Sequence, residues 1–167
     1  MNLRPAQAAD MPVLAEIFVA SWQRGYPGIV PDRVLATIDL TAARDIIAEP
    51  GSQQALTTVV AELRGIAAGY IQYGPDAEAA DDHTGYVAAL YVHPDHAGQG
   101  LGRQLLNHAI DELARQGRDQ VRLWVFADNK RAAGLYTSAG FVPDGAELTD
   151  PRWQTRQIRM QRVPPPP

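Results

Sequence analysis

The stretch Leu90-Tyr91-Val92-His93-Pro94-Asp95-His96-Ala97-Gly98-Gln99-Gly100-Leu101-Gly102-Arg103 decides the fold of this chain. An apolar, strand-like run ends at a proline, a glycine-rich turn follows, and a helical pattern begins. That order leaves the first N–H groups of the helix without intrahelical partners, which makes the corner a phosphate site. Gly98, Gly100 and Gly102 carry no side chain, so a ligand can approach the backbone closely. The corner predicts a phosphorylated cofactor.

Around this corner the period of the sequence changes several times. Tyr86 to His93 reads as an apolar strand and Gly100 to Gln116 as a helix, with Leu101, Leu105, Ala109 and Leu113 on one face. Gly117 marks its C-terminal end, with Arg115 and Arg118 near the negative pole of the helix dipole. Val121 to Phe126 is a strand, Asn129 to Ala139 a helix stopped by Gly140, and Phe141-Val142 and Trp153 to Val163 are closing strands. Upstream, Asn2 to Pro5 is a short opening strand. Asp10 is placed as a helix N-cap with Pro12 in the first turn. Leu14, Ile17, Phe18 and Trp22 recur at helical spacing until Gly25 to Pro31 breaks the pattern. Asp32 or Thr41 starts further short helices to about Ala48, closed by Glu49-Pro50-Gly51. Ala55 to Leu63 and Ile66 to Tyr73 are β-rich runs joined at Arg64-Gly65, a hairpin signature. Gly74 to Gly85 is a polar, acidic loop.

The expected fold class is α/β (α+β): a mixed, mostly antiparallel central sheet with helices on both faces. The strand–helix–strand unit over residues 86–126 should be a right-handed parallel crossover. Residues 1–163 read as one domain, followed by the proline tail Pro164 to Pro167.

Composition bounds the partners. The 167 residues, 46% hydrophobic and 20% charged, describe a soluble globular domain. A net charge of −4 and a pI near 5.5 argue against nucleic acid or an anionic membrane as the main partner. The absence of cysteine excludes disulfides, thiolate metal sites and a cysteine nucleophile, and fits a cytoplasmic protein. No window has the length of a signal peptide core or a membrane span.

Three generic readings of the turn compete. A nucleotide P-loop needs Lys followed by Ser or Thr after its last glycine, where this chain has Arg103-Gln104. A dinucleotide fingerprint needs G-x-G-x-x-G, and Gly98-Gln99-Gly100-Leu101-Gly102 has the wrong spacing. The third is a tight structural turn with no ligand.

A wider pattern separates them. Ala97-Gly98-Gln99-Gly100-Leu101-Gly102, after a strand ending in Val92-His93-Pro94, resembles the acyl-CoA signature of the GNAT family of N-acetyltransferases. That signature is Arg or Gln, two residues, Gly, one residue, then Gly or Ala. Only Ala97 departs from it, which removes a side chain but no backbone donor. Downstream, Asn129, Ala133, Tyr136, Gly140 and Phe141 resemble the family's N-x-x-A-x-x-x-Y-x-x-x-G-F segment. Leu3-Arg4-Pro5-Ala6, Asp10, the stretch from Trp22 to Pro31 and the strand near Gln157 to Met160 are similar as well.

The resemblance implies a set of roles. The strand before the turn splays from its neighbour, and the pantetheine arm of acetyl-CoA pairs with the backbone of Leu90, Tyr91 and Val92. The pyrophosphate sits at Ala97, Gly98, Gln99, Gly100, Leu101, Gly102 and Arg103. Arg103 either adds a charge-assisted contact or is a solvated first-turn arginine. Asn129 caps its helix and contacts the cofactor arm. Tyr136 either protonates the departing thiolate or is a packed core tyrosine. Trp22 and Tyr26 border the acceptor, with core packing the alternative for Trp22.

The family's glutamate base on this strand has no counterpart in Val87-Ala88-Ala89-Leu90. Asp81, Asp82 and His83 are the alternatives, each balanced against a solvated loop position. His93 and His96 flank the turn as structural or solvent-facing residues, since no further ligand is spaced to make a metal site.

The implied activity is transfer of acetyl from acetyl-CoA to a primary amine by direct attack in a ternary complex. The acidic loop at residues 76–82 favours a cationic small molecule as acceptor. A protein N-terminus or lysine, and a non-catalytic acyl-CoA-binding regulatory domain, are the alternatives. A homodimer is compatible with the sequence.

Overall fold

In a computed structural model, which describes residues 1–48 and 56–164, the chain folds around one seven-stranded sheet in the order β1-β2-β3-β4-β5-β7-β6. The strands are β1 Asn2–Pro5, β2 Thr57–Leu63, β3 Ile66–Pro75, β4 Thr84–Val92, β5 Gln120–Phe126, β6 Val142–Asp150 and β7 Thr155–Arg162. Every neighbouring pair is antiparallel except β4 with β5. That parallel pair is joined through helix α4, Leu101–Arg115, as expected for a crossover. The remaining helices are α1 Met11–Gly25, α2 Asp32–Leu35, α3 Leu40–Ala48 and α5 Lys130–Ser138.

Helices cover both faces, so the core is double. On one face Leu101, Leu105, Leu106, Ala109 and Leu113 of α4 pack with Tyr136 of α5 and with Ile71, Val87 and Leu123 of the sheet. On the other, Leu14, Ile17, Phe18 and Trp22 of α1 pack with Val34, Ala43, Ile47 and Tyr70. Strand alternation decides which face each residue joins. Leu90 and Val92 lie against the first core, Ala89 and Tyr91 against the second. The hairpin between β2 and β3 turns at Arg64 and Gly65, with φ of 53° and 79°, the handedness of a type I′ turn. No helix among the described residues is long and apolar enough to cross a membrane.

Several boundaries depart from the sequence reading. Asp10 does precede α1, but its carboxylate does not cap the helix. It accepts from the Gln7 N–H at 2.7 Å and binds the Arg4 guanidinium at 2.7 and 2.8 Å. The stronger charged partner wins over the helix donors. Helix α3 is capped by Asp39, which accepts from the Ala42 N–H at 2.8 Å, rather than starting at Thr41. Phe141-Val142 expands into the nine-residue strand β6, an edge strand whose residues are half-buried or exposed. With Pro143, Asp144 and Gly145 near its start and a register shift between Pro143 and Glu147, it lacks an apolar alternation. The closing strand begins at Thr155, leaving Trp153 in the turn before it. The expected break at Glu49-Pro50-Gly51, the start of the second run at Ala55 and the end of the proline tail lie outside the described residues.

Candidate active site

The site begins where β4 leaves β5. Their ladder runs from Thr84 with Gln120 to Val87 with Leu123 and stops. β4 continues to Val92 and β5 to Phe126. At the same place the β3–β4 register steps from Gln72 with Ala89 to Tyr73 with Val87, which leaves Ala88 as an extra residue. An extra residue bends its strand and raises the local twist. The bulge thus turns β4 away from β5 and opens a cavity of about 980 Å³.

Backbone polarity along this edge follows from one bond. The His93 N–H donates to the Ala68 carbonyl of β3 at 2.8 Å. Alternation then points the N–H and C=O groups of Leu90 and Val92 into the gap and those of Tyr91 back to β3. The Tyr91 carbonyl indeed lies close to Gly69 of β3, where a Cβ would meet it at 2.8 Å. The Val92 carbonyl accepts from the Ser21 hydroxyl at 3.2 Å. Of the three residues expected to offer backbone, Leu90 and Val92 do so. Tyr91 lends its side chain to the opposite face.

The turn closes one end of the cavity. Gly98 and Gly100 both sit at φ 80°, a left-handed conformation that a side chain disfavours. Gly102 is not constrained in this way: a Cβ there would make ordinary contacts with Leu135 Cδ2 at 3.4 Å and Val92 Cγ2 at 3.8 Å. Gln104 is the first residue of the helix whose N–H reaches a backbone carbonyl, that of Gly100 at 3.1 Å. Before it, Ala97, Gly98, Gly100, Leu101, Gly102 and Arg103 line this end of the cavity. The exposed Gln99 is not part of the lining. Arg103 turns its guanidinium to the Ser138 hydroxyl and carbonyl at the end of α5. His93 accepts from the Asp95 N–H through Nδ1 at 3.3 Å, a role within the turn.

Helix α5 forms a side wall. Asn129 is its N-cap, with Oδ1 accepting from the Ala132 N–H at 3.1 Å. Tyr136 lies two turns on, buried at 8% exposure and lining the cavity. Burial raises its phenol pKa, and the nearby phenols of Tyr91 and Tyr86 add to the rise. The group is therefore a proton donor at neutral pH.

The opposite wall is aromatic. Trp22 is packed against Trp153 with ring centroids 4.6 Å apart and against Tyr26 at 4.8 Å, and Tyr26 meets Phe126 at 5.1 Å. Trp22 and Tyr26 both line the cavity, Trp22 as a fully buried core residue and Tyr26 half-buried. Trp153, Phe126 and Tyr86 were not singled out from the sequence. Trp153 was read from the sequence as the start of the closing strand, and only the structure places it in the turn before that strand.

Residues 14–141 match the profile of the Acetyltransferase (GNAT) family. The chain belongs to the GNAT family. It is 31% identical over 150 residues to an L-amino acid N-acyltransferase of Escherichia coli (strain K12), covering 85% of this chain and 80% of that one. It is 52% identical over 52 residues to the ribosomal protein bS18 alanine N-acetyltransferase of the same strain, covering 31% of this chain and 35% of that one. The PaiA N-acetyltransferase of Thermoplasma acidophilum, solved with coenzyme A, shares the fold with a TM-score of 0.75. That match is 19% identical and covers 98% of this chain and 99% of the other. This GNAT protein is an acetyl-CoA-dependent acyltransferase.

The carboxylates offered by the sequence as substitutes for the GNAT glutamate stand elsewhere. Asp81 accepts from the His83 N–H at 2.8 Å and the Thr84 hydroxyl at 2.9 Å. His83 Nδ1 faces the Gly117 carbonyl at 3.3 Å, and Arg118 donates to the Asp82 carbonyl. These bonds hold the loop at the start of β4, the end opposite the glycine turn, and none of the three residues lines the cavity. Among the described residues, the carboxylates that do line it are Glu78 and Asp150.

Proposed function

We propose that this GNAT protein transfers acetyl from acetyl-CoA to the primary amine of a small molecule, by direct attack within a ternary complex. The observation that carries the reading is the parting of β4 from β5 beyond Val87, which leaves the backbone of Leu90 and Val92 facing a cavity. The cofactor's pantetheine arm adds there as a strand, and its pyrophosphate rests on the N–H groups of the turn from Gly98 to Arg103. Ala97 contributes backbone only. Asn129 borders the arm from the first turn of α5. The Leu90 N–H polarises the thioester carbonyl.

Tyr136 supplies the acid. The amine nitrogen forms its bond to the acetyl carbon and the carbon–sulfur bond breaks. The phenol gives its proton to the departing sulfur and recovers one from the new amide nitrogen. Its raised pKa keeps that proton in place at neutral pH. Trp22 and Tyr26 flank the acceptor together with Trp153.

Two facts support a small acceptor. The relative named for L-amino acids matches across 85% of this chain. The relative named for a ribosomal protein matches 31% of it.

Thiol release from acetyl-CoA against amino acids, polyamines, aminoglycosides and short peptides tests the proposal. Turnover with free small amines is expected. Turnover confined to peptides overturns the acceptor class, and no turnover with any amine overturns the reaction.

A further inference from the structure

An amine enters the site as an ammonium ion at neutral pH and must lose a proton before it can attack. On β4 the positions before the gap, Val87, Ala88 and Ala89, carry no proton acceptor. Among cavity-lining side chains few can serve. The phenols of Tyr26, Tyr70, Tyr86, Tyr91 and Tyr136 are all held protonated by burial. His96 sits in the glycine turn at the phosphate end. Asp150 is committed to its own turn: Oδ1 accepts from the Arg152 N–H at 2.7 Å and Oδ2 lies 3.3 Å from the Arg152 guanidinium.

Glu78 differs from each of these. It lies on the exposed loop between β3 and β4 and borders the cavity. Its backbone N–H donates to the Asp76 carboxylate at 3.0 Å, which fixes the loop where Glu78 lines the cavity. Its charge is felt by the Tyr86 phenol, whose pKa is pushed up to about 12 by burial first and by Glu78 next. Tyr86 stands on β4 directly before Val87, the last rung of the β4–β5 ladder.

We propose that Glu78 is the proton acceptor for the amine, in place of the carboxylate that β4 lacks. The inference rests on the acetyltransferase reading above. Leu90 lies four residues beyond Tyr86, about 13 Å along a strand, so the proton travels through water from the ammonium nitrogen to the Glu78 carboxylate. The nitrogen keeps its lone pair for the thioester, and Glu78 returns its proton to solvent at the cavity mouth. A loop position exposed to water suits this role better than a dry strand position. The charged and titratable groups around this corner are Asp76 on the same loop, Tyr86 and Tyr91 on β4, and Arg152 beyond β6. Arg122 of β5 lies 3.6 Å from Asp76.

The test compares the full-length protein with Glu78→Gln and Glu78→Asp, using the best amine found in the panel. Glu78→Gln is expected to lower kcat about 100-fold at neutral pH. The acetyl-CoA KM and CoA-induced thermal stabilisation should stay at the wild-type value. Glu78→Asp should restore part of the rate. Acceptors of low amine pKa, already neutral in the assay, should lose far less than 100-fold. Equal rates for wild type and Glu78→Gln overturn the assignment while leaving the acetyltransferase reading intact. A uniform loss across amines of all pKa values overturns it too, because that marks a structural role. A wild-type protein that binds CoA yet acetylates no amine removes the acetyltransferase reading, and the assignment falls with it.

Discussion

The indole N–H of Trp22 on α1 donates to the Tyr91 hydroxyl on β4 at 3.1 Å. That bond ties the first helix to the strand that borders the gap, and the Trp22 ring packs on Tyr26 beyond the end of α1 with centroids 4.8 Å apart. Trp22→Phe keeps an aromatic ring but removes the donor and part of the buried volume. The expected cost is about 2 kcal/mol, read as a lower urea midpoint with an unchanged slope. Because Tyr26 loses part of the indole it packs on, the KM for the amine should rise more than that for acetyl-CoA.

Tyr136→Phe separates chemistry from binding. Phenylalanine fills the same buried space against Phe141, whose ring centroid is 5.9 Å away, and lacks the proton. We expect kcat to fall about 100-fold with CoA affinity unchanged by calorimetry. Wild-type activity should hold through mildly alkaline pH, since burial raises the phenol pKa above its ordinary value of 10.0. Full activity in the variant would remove Tyr136 from the mechanism.

The glycines of the turn should not be equivalent. At Gly100, φ of 80° makes an alanine strained by about 1–2 kcal/mol, and the turn would relax away from the cofactor's phosphates. Gly100→Ala is expected to weaken CoA binding about tenfold. At Gly102 the backbone is helical, and the Cβ meets the far end of Leu135 at 3.4 Å, a side chain free to shift. Gly102→Ala should change CoA affinity less than about twofold by calorimetry. A reversed order would mean that close approach, rather than backbone conformation, selects these glycines.

The proposed cofactor half of the site was legible because it is written in backbone chemistry. Gly98 and Gly100 set the turn, Asn129 sets the start of α5, and Pro94 ends the strand. Each is a local constraint visible in a few consecutive residues. The bulge at Ala88 was not visible, because it depends on how β3 meets β4 in register. Of the proposed acceptor half, only Trp22 and Tyr26 were legible. Its other side chains arrive from separate elements: Phe126 from β5, Trp153 from the turn after β6, Glu78 from the loop after β3. No spacing in the chain links those positions. Strand β6 was hidden for a different reason, since an edge strand paired only with β7 buries too little to show alternation.

Asp10 should carry a measurable part of the acid stability. The Arg4 guanidinium and the Gln7 N–H hold its carboxyl well below the usual range, at about 2 against 3.8. A depressed carboxyl stabilises the fold above its unfolded pKa and loses that contribution as pH falls through its folded pKa. The contribution is therefore complete above about pH 4 and gone below about pH 2. Asp10→Asn removes the charge and leaves Arg4 with Glu62 at 2.6 Å. Allowing for solvent screening at this partly exposed pair, the variant should be about 1 kcal/mol less stable at pH 7. Urea midpoints measured for both proteins from pH 7 to pH 2 should converge across that window. A difference that stays constant with pH would show that Asp10 acts through shape and hydrogen bonding rather than through charge.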